Sequence, residues 1–356
     1  MNHTEHLDAK GTPTAGKLEG LQVGRAFAAL AVAYFHSNVL FAGWPGSYSG
    51  WPDAVVFSIP GLKEHGYLGV PFFFAISGYV ISLVADRPTF GIRDFVIKRF
   101  FRLYPVYWTI LAAALVLKVF GVSMPASYKL TSILYSMTLL PHVPGSGSLL
   151  AVTWSLEFEI MFYLLVALIV PIFGLWGLAA ALFGLVYWAY FYPPEIFTFH
   201  LVKTLNSDFL AGVLAYLFRK PLSYVPTAML IGLGLYGYYL IVKGTPFAVS
   251  VGGLLVVAGL AKAKWRWDVL PLRWFSQLGD ASYSLYLLHF VTLFVFVALF
   301  KKIGIPPGWM AEPVRFIYLA ICIWVSLKAY QLVEKPMIQA GNRMAASRAL
   351  SFETGR

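Results

Sequence analysis

Arg25 and His36 lie eleven residues apart within one apolar run of this chain. Eleven helical steps of ~100° return to within ~20° of the same face, and at 1.5 Å each they separate the two groups by ~16 Å along the axis. A polar side chain in an apolar span needs a reason to be there. A snorkelling Arg and a packing His would account for each residue singly. Their shared face favours a polar path through a helix bundle, with Arg25 at one level and His36 at another.

A second group is Lys98-Arg99-Phe100-Phe101-Arg102-Leu103-Tyr104-Pro105. Arg99 and Arg102 are i and i+3 and share a helix face. Two guanidiniums so placed can hold phosphate oxygens by bidentate contacts. Basic residues at the cytoplasmic end of a span are also the norm, so spacing alone favours a topological role. A third group, Thr153-Trp154-Ser155-Leu156-Glu157-Phe158-Glu159-Ile160-Met161-Phe162-Tyr163, enters an apolar run. Glu157 and Glu159 differ by ~200° around a helix, so only one can face the interior. Glu159 shares a face with Ser155, Phe162 and Tyr163, and its expected depth roughly matches that of His36. A His and a carboxylate at one level are candidates for a general base and its orienting partner, and equally for a structural ion pair. In a fourth group, Ser282, Tyr286 and His289 follow i, i+4, i+7 and line one stripe. Such a stripe suits packing hydrogen bonds or contact with a substrate. Asp208 is a further lone acid, and the remaining histidines (His3, His6, His65, His142, His200) show no metal-ligand spacing.

The elements that must position these groups follow from composition. The chain is 59% hydrophobic and 17% aromatic, with only 12% charged residues and a mean hydropathy of +0.71. A soluble domain carries roughly 25% charged residues, so most of this surface faces lipid. The net charge of +11 sits in short loops between apolar runs, which is a topology signal rather than a nucleic-acid groove. The single cysteine, Cys322, excludes an intramolecular disulfide and a Cys-based metal site. The polar first 17 residues and the Arg-bearing apolar run after them do not make a cleavable signal peptide.

A span needs ~20 apolar residues. Ten stretches serve: 21–41, 68–85, 103–121, 153–172, 174–192, 206–218, 225–242, 247–261, 281–300 and 313–333. The stretch 131–140 is too short and is expected at the interface or as a re-entrant piece. With the N-terminus inside, 17 of the 27 basic residues then face the cytoplasm, including the groups at 87–102, 219–220, 262–273 and 335–356. Counting 131–140 as a span would invert the later groups, so the positive-inside rule favours ten. The expectation is an all-α integral membrane protein of about ten transmembrane helices with both termini cytoplasmic. Residues 1–20 form a polar N-terminus, 21–335 the transmembrane domain and 336–356 a polar, mobile tail.

These motifs, in this order, make the chain resemble the acyltransferase 3 family of membrane acyltransferases. The residues that carry the likeness are Leu21-Gln22-Val23-Gly24-Arg25 through His36, Gly69-Val70-Pro71-Phe72-Phe73-Phe74-Ala75-Ile76-Ser77-Gly78-Tyr79, Arg99-x-x-Arg102-Leu103-Tyr104-Pro105, Trp154-Ser155-Leu156-x-x-Glu159-x-x-Phe162-Tyr163, Ser282-Tyr283-Ser284-x-Tyr286-Leu287-x-His289 and Glu334-Lys335-Pro336. Within the family the likeness is to the exopolysaccharide-acetylating branch. The resemblance implies transfer of an acyl group, acetyl by preference, from cytoplasmic acyl-CoA to a hydroxyl of an extracytoplasmic free or lipid-linked glycan. It implies His36 as the central catalytic residue with Arg25 assisting, and Arg99 and Arg102 on the CoA phosphates. No metal, permanently bound cofactor or nucleic acid is expected, no SGNH-type esterase domain is expected after the last span, and the location is the cell (inner) membrane, among lipid. Whether His36 acts as base or nucleophile stays open. The rival class is a transporter or flippase, since intramembrane Arg, His and Glu also mark transport pathways; no internal repeat of the transporter kind is visible.

Overall fold

In the computed structural model, residues 18–41, 61–122, 129–139, 148–192, 200–241, 247–263, 269–304 and 310–353 are described. Among them every regular element is helical. Five helical stretches are long and apolar enough to cross a membrane: Leu62–Ala85, Ile92–Val119, Ala151–Phe191, Ser282–Ile303 and Ala311–Ala346.

Helix α1 (Glu19–His36) is rich in alanine, a strong helix former, and Ala26, Ala28, Ala29 and Ala33 are all buried. Their small side chains let other helices approach closely, which is how helices associate where lipid offers no hydrophobic drive. After α1 come the single turn α2 (Leu62–His65) and α3 (Gly69–Ala85). Helix α4 (Ile92–Val119) carries the paired arginines and contains Pro105. The nine-residue α5 (Leu130–Thr138) is too short to span.

Helix α6 (Trp154–Phe191) is two helices joined at Gly174, whose backbone is non-helical (φ 64°, ψ −169°). A Cβ on Gly177 would lie 3.6 Å from the Ile169 side chain. A straight helix would hold those residues about 12 Å apart along its axis. The chain therefore turns back at Gly174, a left-handed conformation that glycine adopts at no steric cost. The order continues with α7 (Asn206–Leu217), α8 (Arg219–Ser223), α9 (Thr227–Ile241), α10 (Ala248–Lys262), α11 (Leu270–Asp280), α12 (Ser282–Ile303), α13 (Ala311–Ala329) and α14 (Lys335–Glu353).

Helix α1 is the hub, packed against α3, α10, α11 and α12. Helices α3 and α7 meet at Gly78 and Gly212, where an added Cβ on either glycine would run into the other helix's backbone. The amphipathic α11 lies along α1, with Gly279 seated against the Gln22 carbonyl.

One feature departs from the sequence expectation. The tail expected to be mobile is α14, which continues α13 through a π-helical turn at Tyr330–Glu334 and packs on α4, with Gly341 against Phe101. Small residues at Gly341 and the buried Ala345 give this otherwise polar helix a face to dock. Helix α5 lies at the protein surface over much of its length, with Leu130, Leu134 and Met137 exposed. Its C-terminal carbonyls are held by aromatic donors of α4: Tyr107 Oη to Ser136 O at 2.5 Å, Tyr104 Oη to Thr138 O at 2.7 Å and Trp108 Nε1 to Met137 O at 2.8 Å. Those donors lie about 16–23 Å back from the end of α4 at Val119. The end of α5 thus lies beside the middle of α4, and Leu139, Leu149, Leu150 and Val152 are buried.

Candidate active site

Five helices converge on a cavity of about 200 Å³. Helix α1 supplies Gln22 and Arg25, α3 supplies Phe73 and Ser77, and α4 supplies Arg99 and Arg102. Ser155, Glu159 and Tyr163 come from α6, and Ser282, Tyr283 and Tyr286 from α12. Helical period explains the selection. Residues 22 and 25, 99 and 102, and 155, 159 and 163 each recur at i+3 or i+4 and face one direction.

Three guanidiniums therefore share one enclosure with one carboxylate. Arg99 lies beside two mutually perpendicular rings, its guanidinium carbon 5.5 Å from the Phe95 centroid and 5.6 Å from that of Tyr163. Such cation–π contacts help hold the guanidinium in place. Arg99 Nε, Gln22 Oε1 and Ser282 Oγ are buried with no hydrogen-bond partner among the described residues. Glu159 accepts from the Tyr163 hydroxyl and, at 3.3 Å, from Ser77 Oγ. Glu334, from the π-helical turn, is fully buried, accepts from Ser284 Oγ at 2.6 Å and lies under the electrostatic influence of Arg102 and Arg25. Excess positive charge with unpaired donors in a small enclosure is the arrangement that takes a phosphate-bearing anion.

Arg25, Arg99, Arg102, Glu159, Ser155 and Tyr286 are thus brought together. His36 is not among the lining residues. It is partly exposed at the far end of α1, its Nδ1 3.1 Å from Nε2 of His289. The two rings stack with centroids 5.1 Å apart. Tyr286 connects the two regions: it lines the cavity, shares a 2.7 Å hydrogen bond with Ser155, and its ring lies 5.7 Å from that of His289.

Glu159 does not partner His36 at a common depth. Glu159 instead lines the cavity with Arg25, Arg99 and Arg102. Glu157 turns the other way and bonds His200 Nε2 at 2.9 Å, with the His200 ring stacked on Phe158. Asp208 accepts from Ser250 Oγ at 2.6 Å and is remote from the lining. His142 lies outside the described residues.

A cluster that sequence reasoning passed over sits beside His36. Arg315 donates to Tyr34 Oη at 2.9 Å and to Asn38 Oδ1 at 2.9 Å and pairs with Glu312, while Asn38 Nδ2 donates to Lys63 O at 3.0 Å. Glu312 and Arg315 are i and i+3 in an apolar run, which was the available signal. The network pins the C-terminal end of α1, and with it His36, to α13 and to α2.

Residues 18–330 match the family model described as an acyltransferase domain. Among curated proteins, the chain is 29% identical over 307 residues to an exopolysaccharide production protein, ExoZ, of Rhizobium meliloti, covering 80% of this chain and 94% of the relative. It is 26% identical to nodulation protein 10 of Rhizobium leguminosarum bv. viciae, covering 94% and 97%. It is 23% identical to a putative peptidoglycan O-acetyltransferase, YrhL, of Bacillus subtilis, covering 93% of this chain and 56% of that protein. No solved structure matches.

Proposed function

The chain belongs to the acyltransferase family defined by that domain, and from this premise we propose that it moves an acetyl group from cytoplasmic acetyl-CoA to a hydroxyl of an extracytoplasmic polysaccharide. The observation that carries the reading is the layout of α1. Arg25 lies at one level in an arginine-lined cavity, and His36 lies eleven residues further along beside His289.

The thioester and the hydroxyl are on opposite sides of the bilayer, and that layout spans the gap. Arg99 and Arg102 hold the CoA phosphates, and Arg25 guides the pantetheine arm past Tyr286 towards His36. The acceptor oxygen attacks the thioester carbonyl carbon, its proton passes to His36, and the departing sulfur takes a proton to leave as CoA. If His36 is instead acylated first, the acceptor displaces it in a second step. Polysaccharide as acceptor is supported by the printed names of the relatives. The topology in this reading is ten spans with both termini cytoplasmic in the cell (inner) membrane; the turn at Gly174 supports two spans within α6.

The test is a CoA-release assay on purified protein in lipid discs with acetyl-CoA. Release that rises with an added exopolysaccharide and yields base-labile acetyl groups on it supports the reading. Binding of acetyl-CoA with no acceptor-dependent release, or glycan transport without acetylation, refutes it.

A further inference from the structure

The hydrogen bonds around His289 assign the protons of both imidazoles. His289 is fully buried, and its Nδ1 lies 3.3 Å from the carbonyl oxygen of Leu285, one helical turn back. A carbonyl only accepts, so Nδ1 carries the proton of that bond. In the neutral ring Nε2 then has the lone pair. A doubly protonated His289 would be a fully buried cation whose described partners are a carbonyl and another imidazole, an expensive arrangement. His289 Nε2 is therefore an acceptor, and the atom 3.1 Å from it is His36 Nδ1. His36 must donate there, which leaves its lone pair on Nε2.

We infer that His289 is a positioning residue that locks His36 in the Nδ1–H tautomer, so that Nε2 is the nitrogen that takes the acceptor's proton or carries the acyl group. The inference rests on the proposed acyl transfer only for its consequence, since the tautomer is a property of the resting protein. Both rings are held by more than this bond. The Tyr318 hydroxyl donates to the His289 backbone oxygen at 2.8 Å. The Arg315 network fixes the turn after His36 through Asn38 and Tyr34. His289 thus fills the place that a carboxylate holds in a serine-protease triad, orienting the ring that does the chemistry. A neutral imidazole does so in an apolar bundle without bringing in a second charge.

The test uses full-length protein labelled with ¹⁵N at histidine in lipid discs, with the His36 signals identified by their loss in His36→Gln. The expected spectrum has a protonated, pyrrole-type Nδ1 and an unprotonated, pyridine-type Nε2 on His36. His289→Gln should keep this pattern, because the amide oxygen can accept from His36 while the amide nitrogen donates to Leu285 O. It should also retain most of kcat. His289→Leu removes the acceptor and should mix the tautomers, lowering kcat at least tenfold with acetyl-CoA affinity unchanged; tautomer loss in the serine-protease triad costs about 10⁴. A wild-type spectrum with the proton on Nε2 overturns the inference and needs no variant to fold. So does a folded His289→Leu protein with full kcat. An inactive protein that nonetheless shows the Nδ1–H tautomer would refute the proposed function and leave this assignment standing.

Discussion

Removing the arginine pair gives the sharpest quantitative check of the donor site. Arg99 and Arg102 both line the cavity, and Arg99 lies against the rings of Phe95 and Tyr163. The cavity's own carboxylate, Glu159, accepts from Tyr163 and Ser77 and can offset only part of the charge of three guanidiniums. A hydrogen bond to a charged group contributes about 1.5–3 kcal/mol. At 1.4 kcal/mol per decade, each Arg→Ala change should weaken CoA binding about 10- to 150-fold. The double variant should lose less than the product, because both residues meet one phosphate-bearing group and such effects do not add. Arg99→Lys should recover only part of the loss, since an ammonium lacks the planar fork and stacks poorly on the two rings. Isothermal titration of purified variants with CoA, at two salt concentrations, reads this directly. The wild-type affinity should fall with salt, and the double variant's should fall less. A double variant that binds CoA within threefold of wild type with unchanged salt dependence would reduce the pair to topology determinants.

Three further outcomes are expected. His36→Gln keeps a hydrogen-bonding side chain but cannot take up a proton at neutral pH; acetyl transfer should fall at least 100-fold while CoA titration is unchanged, and substantial turnover in a folded Gln variant would remove His36 from the chemistry. Gly212→Val should destabilise the protein by about 1–3 kcal/mol, as overpacking does, because its Cβ meets the α3 backbone at Ala75; thermal unfolding in detergent would show a lowered Tm, and an unchanged Tm would mean that α3 and α7 are not so closely packed. A reporter fused after Lys220 should respond as cytoplasmic and one within 193–205 as external, with the reverse pair contradicting the ten-span order.

Much of this was legible because membrane proteins must declare themselves. Long apolar runs, the weakness of 131–140 as a span and the break between the two apolar runs on either side of Gly174 follow from hydropathy and glycine chemistry. Helical spacing put Arg99 with Arg102, and Ser282 with Tyr286 and His289, on shared faces; all but His289 line the cavity. Depth was not legible. Sequence gives rotation about an axis precisely but fixes height only where the chain enters the bilayer. Glu159 meets Tyr163 and Ser77 among the arginines rather than His36. The His36–His289 bond joins residues 253 positions apart and has no local signature. Helix α14 was hidden for the opposite reason: its polar composition reads as solvated tail until the small residues at 341 and 345 find α4.

Helix α4 also has a consequence for what changes the chain can absorb. Within ten residues it carries two arginines facing the cavity and then three aromatic donors, Tyr104, Tyr107 and Trp108, gripping the end of α5. Inserting or deleting one residue between Arg102 and Tyr104 rotates everything beyond it by ~100°. Either the arginines leave the cavity or the donors release the carbonyls of Ser136, Met137 and Thr138. The stretch from Arg99 to Trp108 is therefore rigid in length even where it is free in composition. Relatives can vary its side chains, but a gap there would mark a protein that has given up either its anion site or its grip on α5.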